Sequence, residues 1–231
     1  LGNLEPKILN LMLDYTFQWK VVWKRLPDLF EGAILTLELT ILSSIIGLLI
    51  ASILVIWQKN DNIFLRNFTK TWISIARNTP ALLQIYIAYF GLGSFGIHLS
   101  SYVAVLGAIA FNNAGYMTEI LRGGFSSVSK NQNQAAKGLG FNNFQTYIYV
   151  IYPQVLKTVF LPMTNQFIWA MMGTSLGIII GLQELTGMTT FLQSQTFRPF
   201  EFYFIAALIY IFISKSILLS SGFIAKRYLR I

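Results

Sequence analysis

Four stretches of this sequence are almost free of charge: residues 39–58, 78–118, 158–183 and, but for Lys215, 202–225. Each is long enough for a helix of about 20 residues, which crosses a bilayer core of about 30 Å. The run 78–118 is interrupted by Gly91, Gly93 and Gly96 and reads as two spans. Charged residues make up 11% of the chain, against about 25% in a soluble domain. A solvated surface all round is therefore excluded, and with it a soluble enzyme, a disordered chain or a free nucleic-acid binder. An all-α membrane protein remains, with about five transmembrane helices near 29–57, 72–92, 101–120, 160–182 and 202–223.

The net charge of +8 is explained by topology. With the N-terminus outside and the C-terminus inside, eleven basic residues fall in inner segments, from Lys59 and Arg66 to Arg230. Five fall outside: Lys7, Lys20, Lys24, Arg25 and Arg198. Basic residues are retained on the cytoplasmic side, so this asymmetry predicts an N-out, C-in chain. No nucleic-acid partner is needed to account for the charge. The absence of cysteine excludes disulfides, thiolate metal sites and a cysteine nucleophile. Asn10 and Asp14 interrupt the apolar stretch after Lys7, so no secretory leader is expected there.

Three regions follow. Residues 1–28, with Trp19 and Trp23 among Lys20, Lys24 and Arg25, predict a segment lying along the membrane interface. Residues 29–225 form the transmembrane domain, and 226–231 a cytoplasmic tail. The first span carries small residues at Ala33, Thr36, Thr40, Ser43, Gly47 and Ala51, whose spacing gives one face for close helix contact. Glu31 and Glu38 lie roughly opposite, Glu31 at the outer interface and Glu38 a deeper candidate for a polar path or a pair. Arg77, Asn78, Thr79 and Pro80 open the second span near the inner surface, since proline suits a first helical turn. Asn112, Tyr116 and Glu119 share a face of the third span. Asn112 and its neighbour Asn113 must find partners in hydrocarbon, so they either join helices or line a hydrated path.

One long polar excursion, about 121–159, cannot cross the membrane. Gln132 to Leu139 reads as a short helix stopped by Gly140, and Asn142 or Asn143 caps a second helix running toward Pro153. A structured hairpin there is either a docking element or a passive connector. Thr/Gln-rich residues 186–196, with Arg198 and Glu201, read as the main outer loop.

The hairpin carries a resemblance. Gln134-Ala135-Ala136, then Gly140, then Val150-Ile151-Tyr152-Pro153 is similar to the Glu-Ala-Ala loop of ABC importer permeases. Thr36 to Thr40, Arg77 to Gln84, Tyr116 with Glu119 and Arg122, Thr174-Ser175-Leu176 and Glu184-Leu185 resemble the polar amino-acid branch of that family. The resemblance runs from about Phe17 to Arg230. It implies a type I importer permease fold, in which Gln134, Ala135, Ala136, Gly140 and Pro153 belong to a coupling helix gripped by a cytoplasmic ATPase. The implied partners are two ATPase subunits, a second permease chain, identical or related, an extracytoplasmic solute-binding protein and the bilayer. The implied location is a bacterial plasma membrane. Arg77, Thr79, Pro80, Glu119, Arg122 and Glu184 would be structural motif positions. Ala135 and Ala136 would offer a low face for close approach, with Lys130 and Lys137 free to pair with acidic rim residues.

The sequence has no G-x-x-x-x-G-K-[ST] phosphate loop, so ATP is expected to bind elsewhere, on another subunit. No cofactor is expected, and His98 stands apart from any cluster of metal ligands. The path for a zwitterionic substrate would need polar groups, for which Asn112, Asn113, Gln166, Thr174 and Ser175 are candidates. Four positions depart from the family pattern: Gln134 replaces its glutamate, Asn131 the usual glycine before Gln132, and Met172 and Gly173 a frequent Lys-Asp pair. Those two losses motivate a heterodimer whose other permease keeps the charges. An ion-driven secondary transporter would instead show inverted repeats, which five spans divide poorly. A non-transporting scaffold or membrane enzyme would leave the hairpin without a task.

Overall fold

The computed structural model describes residues 15–229, all of whose regular elements are helical. Half of the predicted interfacial segment, with Lys7, and Arg230 of the tail lie outside these residues. A short α1 (Trp19–Lys24) leads into α2 (Leu26–Trp57), and α3 (Ile63–Asn78) is followed after Thr79-Pro80 by α4 (Ala81–Gly91). Next come α5 (Ser101–Ser127), α6 (Lys130–Gly138) and α7 (Asn143–Ile180). The chain closes with α8 (Leu185–Thr196) and α9 (Pro199–Leu229).

Helix α2 is the axis of the bundle. Its small-residue face packs on α5, α7 and α8, and Ala33, Thr36, Thr40, Ser43, Gly47 and Ala51 are all buried. A Cβ on Gly47 would stand 2.7 Å from the Asn113 Cβ, so only glycine lets α2 and α5 meet there. Two apolar clusters hold the bundle. Leu29, Met171, Leu185, Leu192 and Phe202 join α2, α7, α8 and α9. Leu39, Ile85, Val105, Ile109 and Ile180 join α2, α4, α5 and α7. The outside is also greasy: Ile211, Phe212, Leu219 and Phe223 of α9 stand exposed, the surface a helix presents to lipid or to another membrane helix.

By length and apolarity, α2 and α9 each suffice to cross a membrane, and α7 with α8, bent by 45° at their break, make up to a third such span. Two expectations change. The stretch 72–92 is not one helix: proline lacks the N–H that would close on Ala76, so the chain breaks at Thr79-Pro80. Residues 186–196 are not a solvated loop but helix α8, with Leu185, Thr189 and Leu192 fully buried. Threonine can bury its methyl and return its hydroxyl to the helix, as Thr189 does to the Leu185 carbonyl at 2.6 Å, which hides such a helix in a polar-looking sequence.

Candidate functional site

The hairpin after α5 is built by its caps. The Ser129 hydroxyl accepts from the Asn131 N–H at 3.3 Å and starts α6. At its end Gly140 takes φ +85°, a conformation that costs other residues about 1–2 kcal/mol. The Phe141 N–H then reaches the Ala136 carbonyl at 3.1 Å and the Gly140 N–H that of Lys137 at 3.0 Å, a doubly bonded helix stop. Of the two candidate caps, Asn142 is the one used. It accepts from Gln145 N–H at 2.8 Å, and the Gln145 side chain accepts in return from Asn142 N–H at 3.0 Å.

Helix α6 lies against the widened, π-helical turn Tyr147–Ile151 of α7, directly before Pro153. Pro153 has no N–H for the carbonyl four residues back, and the Tyr152 N–H closes on Tyr147 instead. Gln154 donates to Gln132 and to the Val150 carbonyl, fastening α6 to α7. Ala136 is buried at 3% exposure while Gln134, Ala135, Lys137 and Gly140 are exposed. The alanine pair therefore does not present one common face. Ala136 seats α6 on its own chain, and Ala135 with Gln134 and Leu139 faces outward.

Inside the bundle, the break at Thr79-Pro80 strands two carbonyls that α3 would otherwise bond. The Ala76 carbonyl accepts from Asn112 Nδ2 at 2.9 Å and Gln84 Nε2 at 3.1 Å, and Tyr116 donates its hydroxyl to the Arg77 carbonyl at 3.3 Å. Gln84 also donates to the Thr79 hydroxyl at 2.7 Å and accepts from Asn112 at 3.2 Å. Alongside, Glu119 holds Arg122 at 2.7 Å and Arg77 at 3.6 Å, with Arg77 above the Tyr116 ring. Arg77, Thr79, Pro80, Asn112, Tyr116 and Glu119 thus form one seam that mends a broken helix. Asn113, fully buried, accepts from Gln166 at 2.9 Å and joins α5 to α7. Glu38, by contrast, is exposed and accepts from the Tyr102 hydroxyl at 2.6 Å.

Glu184 is the second hub. Fully buried, it caps α8 by accepting from Thr186 N–H at 2.8 Å and Gly187 N–H at 2.9 Å. Its other oxygen accepts from Thr36 at 3.0 Å and Tyr210 at 2.9 Å, tying α2 and α9 to that break. A Cβ on Gly187 would lie 2.0 Å from the Leu182 carbonyl oxygen, so the turn closes only on glycine.

Beside this hub lies a cavity of about 430 Å³ between α7 and α9. Met172, Ser175, Thr186, Tyr210 and Ser214 are in its wall. The candidates for a path are therefore split. Ser175 lines this cavity, Thr174 is buried and turned to the Met171 carbonyl at 2.8 Å, and Asn112, Asn113 and Gln166 lie in the seams on α5. Met172 is 60% exposed, while a Cβ on Gly173 would stand 3.1 Å from Ile109 Cδ1. A side chain at position 173 would therefore press on Ile109, whereas position 172 is open.

Glu201 corrects another expectation, since it lies in the first turn of α9 rather than in a solvated outer loop, while Arg198 stands in the short link between α8 and α9. Glu201 is fully buried and accepts from the Tyr15 hydroxyl and from Gln18 N–H at 2.8 Å, and Arg198 donates to the Thr16 carbonyl at 2.9 Å. Burial and the bond to Glu201 push the Tyr15 phenol above its ordinary range. Gln84, Gln154 and Tyr210 are the polar residues that sequence reading missed as site members. Each is a hydrogen-bonding group set in a largely apolar stretch, which is the signal they offered.

The profile of the family described as binding-protein-dependent transport system inner membrane component matches residues 43–230. The chain belongs to that family. It is 33% identical over 199 residues to the octopine transport system permease protein of Rhizobium meliloti, covering 82% of this chain and 81% of that one. Against the glutamine transport system permease protein of Escherichia coli strain K12 it is 31% identical over 200 residues, covering 86% and 91%. The fold matches the crystal structure of an amino acid ABC transporter with histidines at a TM-score of 0.86 and 30% identity, over 92% of this chain and all of that one. An inward-facing methionine ABC transporter shares the fold at TM-score 0.68 and 13% identity. This chain is accordingly the membrane permease subunit of an ABC importer, and ATP is hydrolysed by a separate subunit of the complex. The family implies an ATPase and a binding protein as partners.

Proposed function

We propose that this permease carries a polar amino acid, or a close analogue, into the cytoplasm across a bacterial plasma membrane. The printed functions of its relatives, glutamine and octopine transport, point to that substrate class. The chain would cross the membrane five times, N-out and C-in, with α3 and α4 together forming the second crossing. The α6 hairpin would then lie inside, docked on one of two ATPase subunits.

The observation that carries this reading is the split of the α6 surface. Ala136 and Gln132 bind the helix to α7, while Gln134, Ala135 and Leu139, the last 79% exposed, remain free. A helix fixed rigidly at one face and bare on the other transmits force from a partner to α7. From there it reaches the cavity at Ser175, Thr186 and Tyr210, the section of the path that this chain contributes. The small polar lining suits a zwitterion, and the uncharged Met172 and Gly173 leave any charged recognition to a second, non-identical permease chain.

The test is uptake of a panel of labelled polar amino acids by proteoliposomes holding the purified complex with internal ATP. Uptake of at least one is expected, dependent on ATP and on the binding protein. Gly140→Pro, which cannot take positive φ, is expected to abolish uptake while the chain still inserts. Wild-type uptake by that variant contradicts the coupling role, and uptake driven by an ion gradient without ATP contradicts the mechanism.

A further inference from the structure

A cavity of about 380 Å³ opens where α2, α5 and the π-helical turn of α7 meet, apart from the Ser175 cavity. Val55, Ile56 and Leu121 form its greasy wall. At its mouth stand the ammonium of Lys59 and the rings of Tyr147 and Tyr152, half-exposed. Lys59 Nζ lies 5.3 Å above the Phe125 ring, a placement that holds the cation beside the cavity. Among the described residues, no carboxylate lies within 4 Å of Lys59, Arg66 or Lys70, the neighbouring Asp61 included. These cations flank an aromatic row, with Trp57 and Phe68 ring centres 6.0 Å apart and Phe68 and Trp72 5.8 Å apart. Tryptophan beside unpaired basic residues marks headgroup depth at a membrane surface.

An apolar slot with a fixed cation and two phenols at its mouth fits one chemistry. We propose that this cavity binds an anionic phospholipid, its acyl chain against Val55, Ile56 and Leu121 and its phosphate at Lys59, Tyr147 and Tyr152. Wedged between α2 and the turn on which α6 rests, the lipid stiffens the joint between the hairpin and the membrane helices. The site is distinct from the amino-acid path, so it stands or falls separately from the substrate assignment.

The probe is phosphatidylglycerol. The intact complex is reconstituted in nanodiscs of phosphatidylcholine with a rising fraction of phosphatidylglycerol, and its retained lipids are counted by native mass spectrometry. Preferential retention of phosphatidylglycerol is expected. Lys59→Gln should lower that retention about fivefold, the worth of one surface cation toward an anionic lipid. Lys59→Arg should keep it, and Lys226→Gln, an equal charge loss on the tail, should leave it unchanged. Equal retention of both lipids, or retention that survives Lys59→Gln, overturns the proposal. So does efficient cross-linking of a Ser52→Cys variant to a neighbouring protein chain, which would show that protein fills the cavity.

Discussion

At the scale of single residues, the polar groups inside this bundle repair backbone that the fold itself breaks. Pro80 leaves the Ala76 carbonyl unbonded within α3, and Asn112 and Gln84 supply its donors. A buried carbonyl without a partner costs about 1–3 kcal/mol. Asn112→Leu removes one of the two donors to that carbonyl and leaves the Gln84 amide oxygen without its donor, so it should lower the melting temperature of the purified protein by several degrees, although leucine is apolar and fits a membrane helix. A rise in melting temperature would mean the seam contributes nothing. Glu184 makes the same point more sharply, because it collects four donors from three helices. Thr36→Val removes one of them and also the acceptor for Leu185 N–H at 3.1 Å. It should destabilise the chain more than Tyr210→Phe, whose hydroxyl is missed by Glu184 and Thr186 alone, as differential melting of the two variants would show. Of these groups, Asn112 was legible in the sequence as a polar residue at an apolar depth, while Glu184 was marked only by the family resemblance. Their partners were not, because spacing along one helix carries no information on which carbonyl of another helix stands opposite.

Among the elements, α6 was legible in its body and its stop at Gly140, and the following cap was narrowed to Asn142 or Asn143, because these are local chemistry; its start at Ser129 was not read. Nor were the roles of its two alanines, because burial depends on where α7 lies. This gives a paired prediction. Ala136→Leu puts a larger side chain into the contact with α7 and should lower both thermal stability and uptake. Ala135→Leu should leave stability within about 0.5 kcal/mol, as surface changes do, yet still impair ATP-driven uptake. Equal stability losses for the two would contradict the assignment of an inner and an outer face. Helix α8 shows the opposite case. Its threonines and glutamines gave it the look of a loop, yet hydroxyls returned to the helix backbone, as at Thr189 and Thr196, let it pack as a core element.

For the whole molecule, the membrane class and family were legible in the charge-free runs and in the hairpin motif, which no bundle geometry is needed to read. The number of crossings was harder. Only α2 and α9 are long and apolar throughout, while α5 carries its polar residues inward and α3 with α4 is broken at proline. A membrane helix whose polar side is covered by neighbours need not look uniformly greasy in sequence. At this scale the absence of charge at Met172 and Gly173 predicts a complex with two different permease chains. Purifying the complex through a tag on this chain should recover a second permease of distinct mass, and a complex active with two identical copies would contradict it.

The central claim is that the outer face of α6 is gripped by the ATPase. Because the given sequence has no cysteine, Ala135→Cys places a single thiol on that face with no competing thiol from these residues. Treated in the purified complex with a short thiol-to-photoprobe cross-linker, it is predicted to join the permease to the ATPase subunit, with yield that changes when ATP is added. Cross-links that never include the ATPase, or labelling of Cys at that position by a membrane-impermeant maleimide from outside intact cells, would contradict the account.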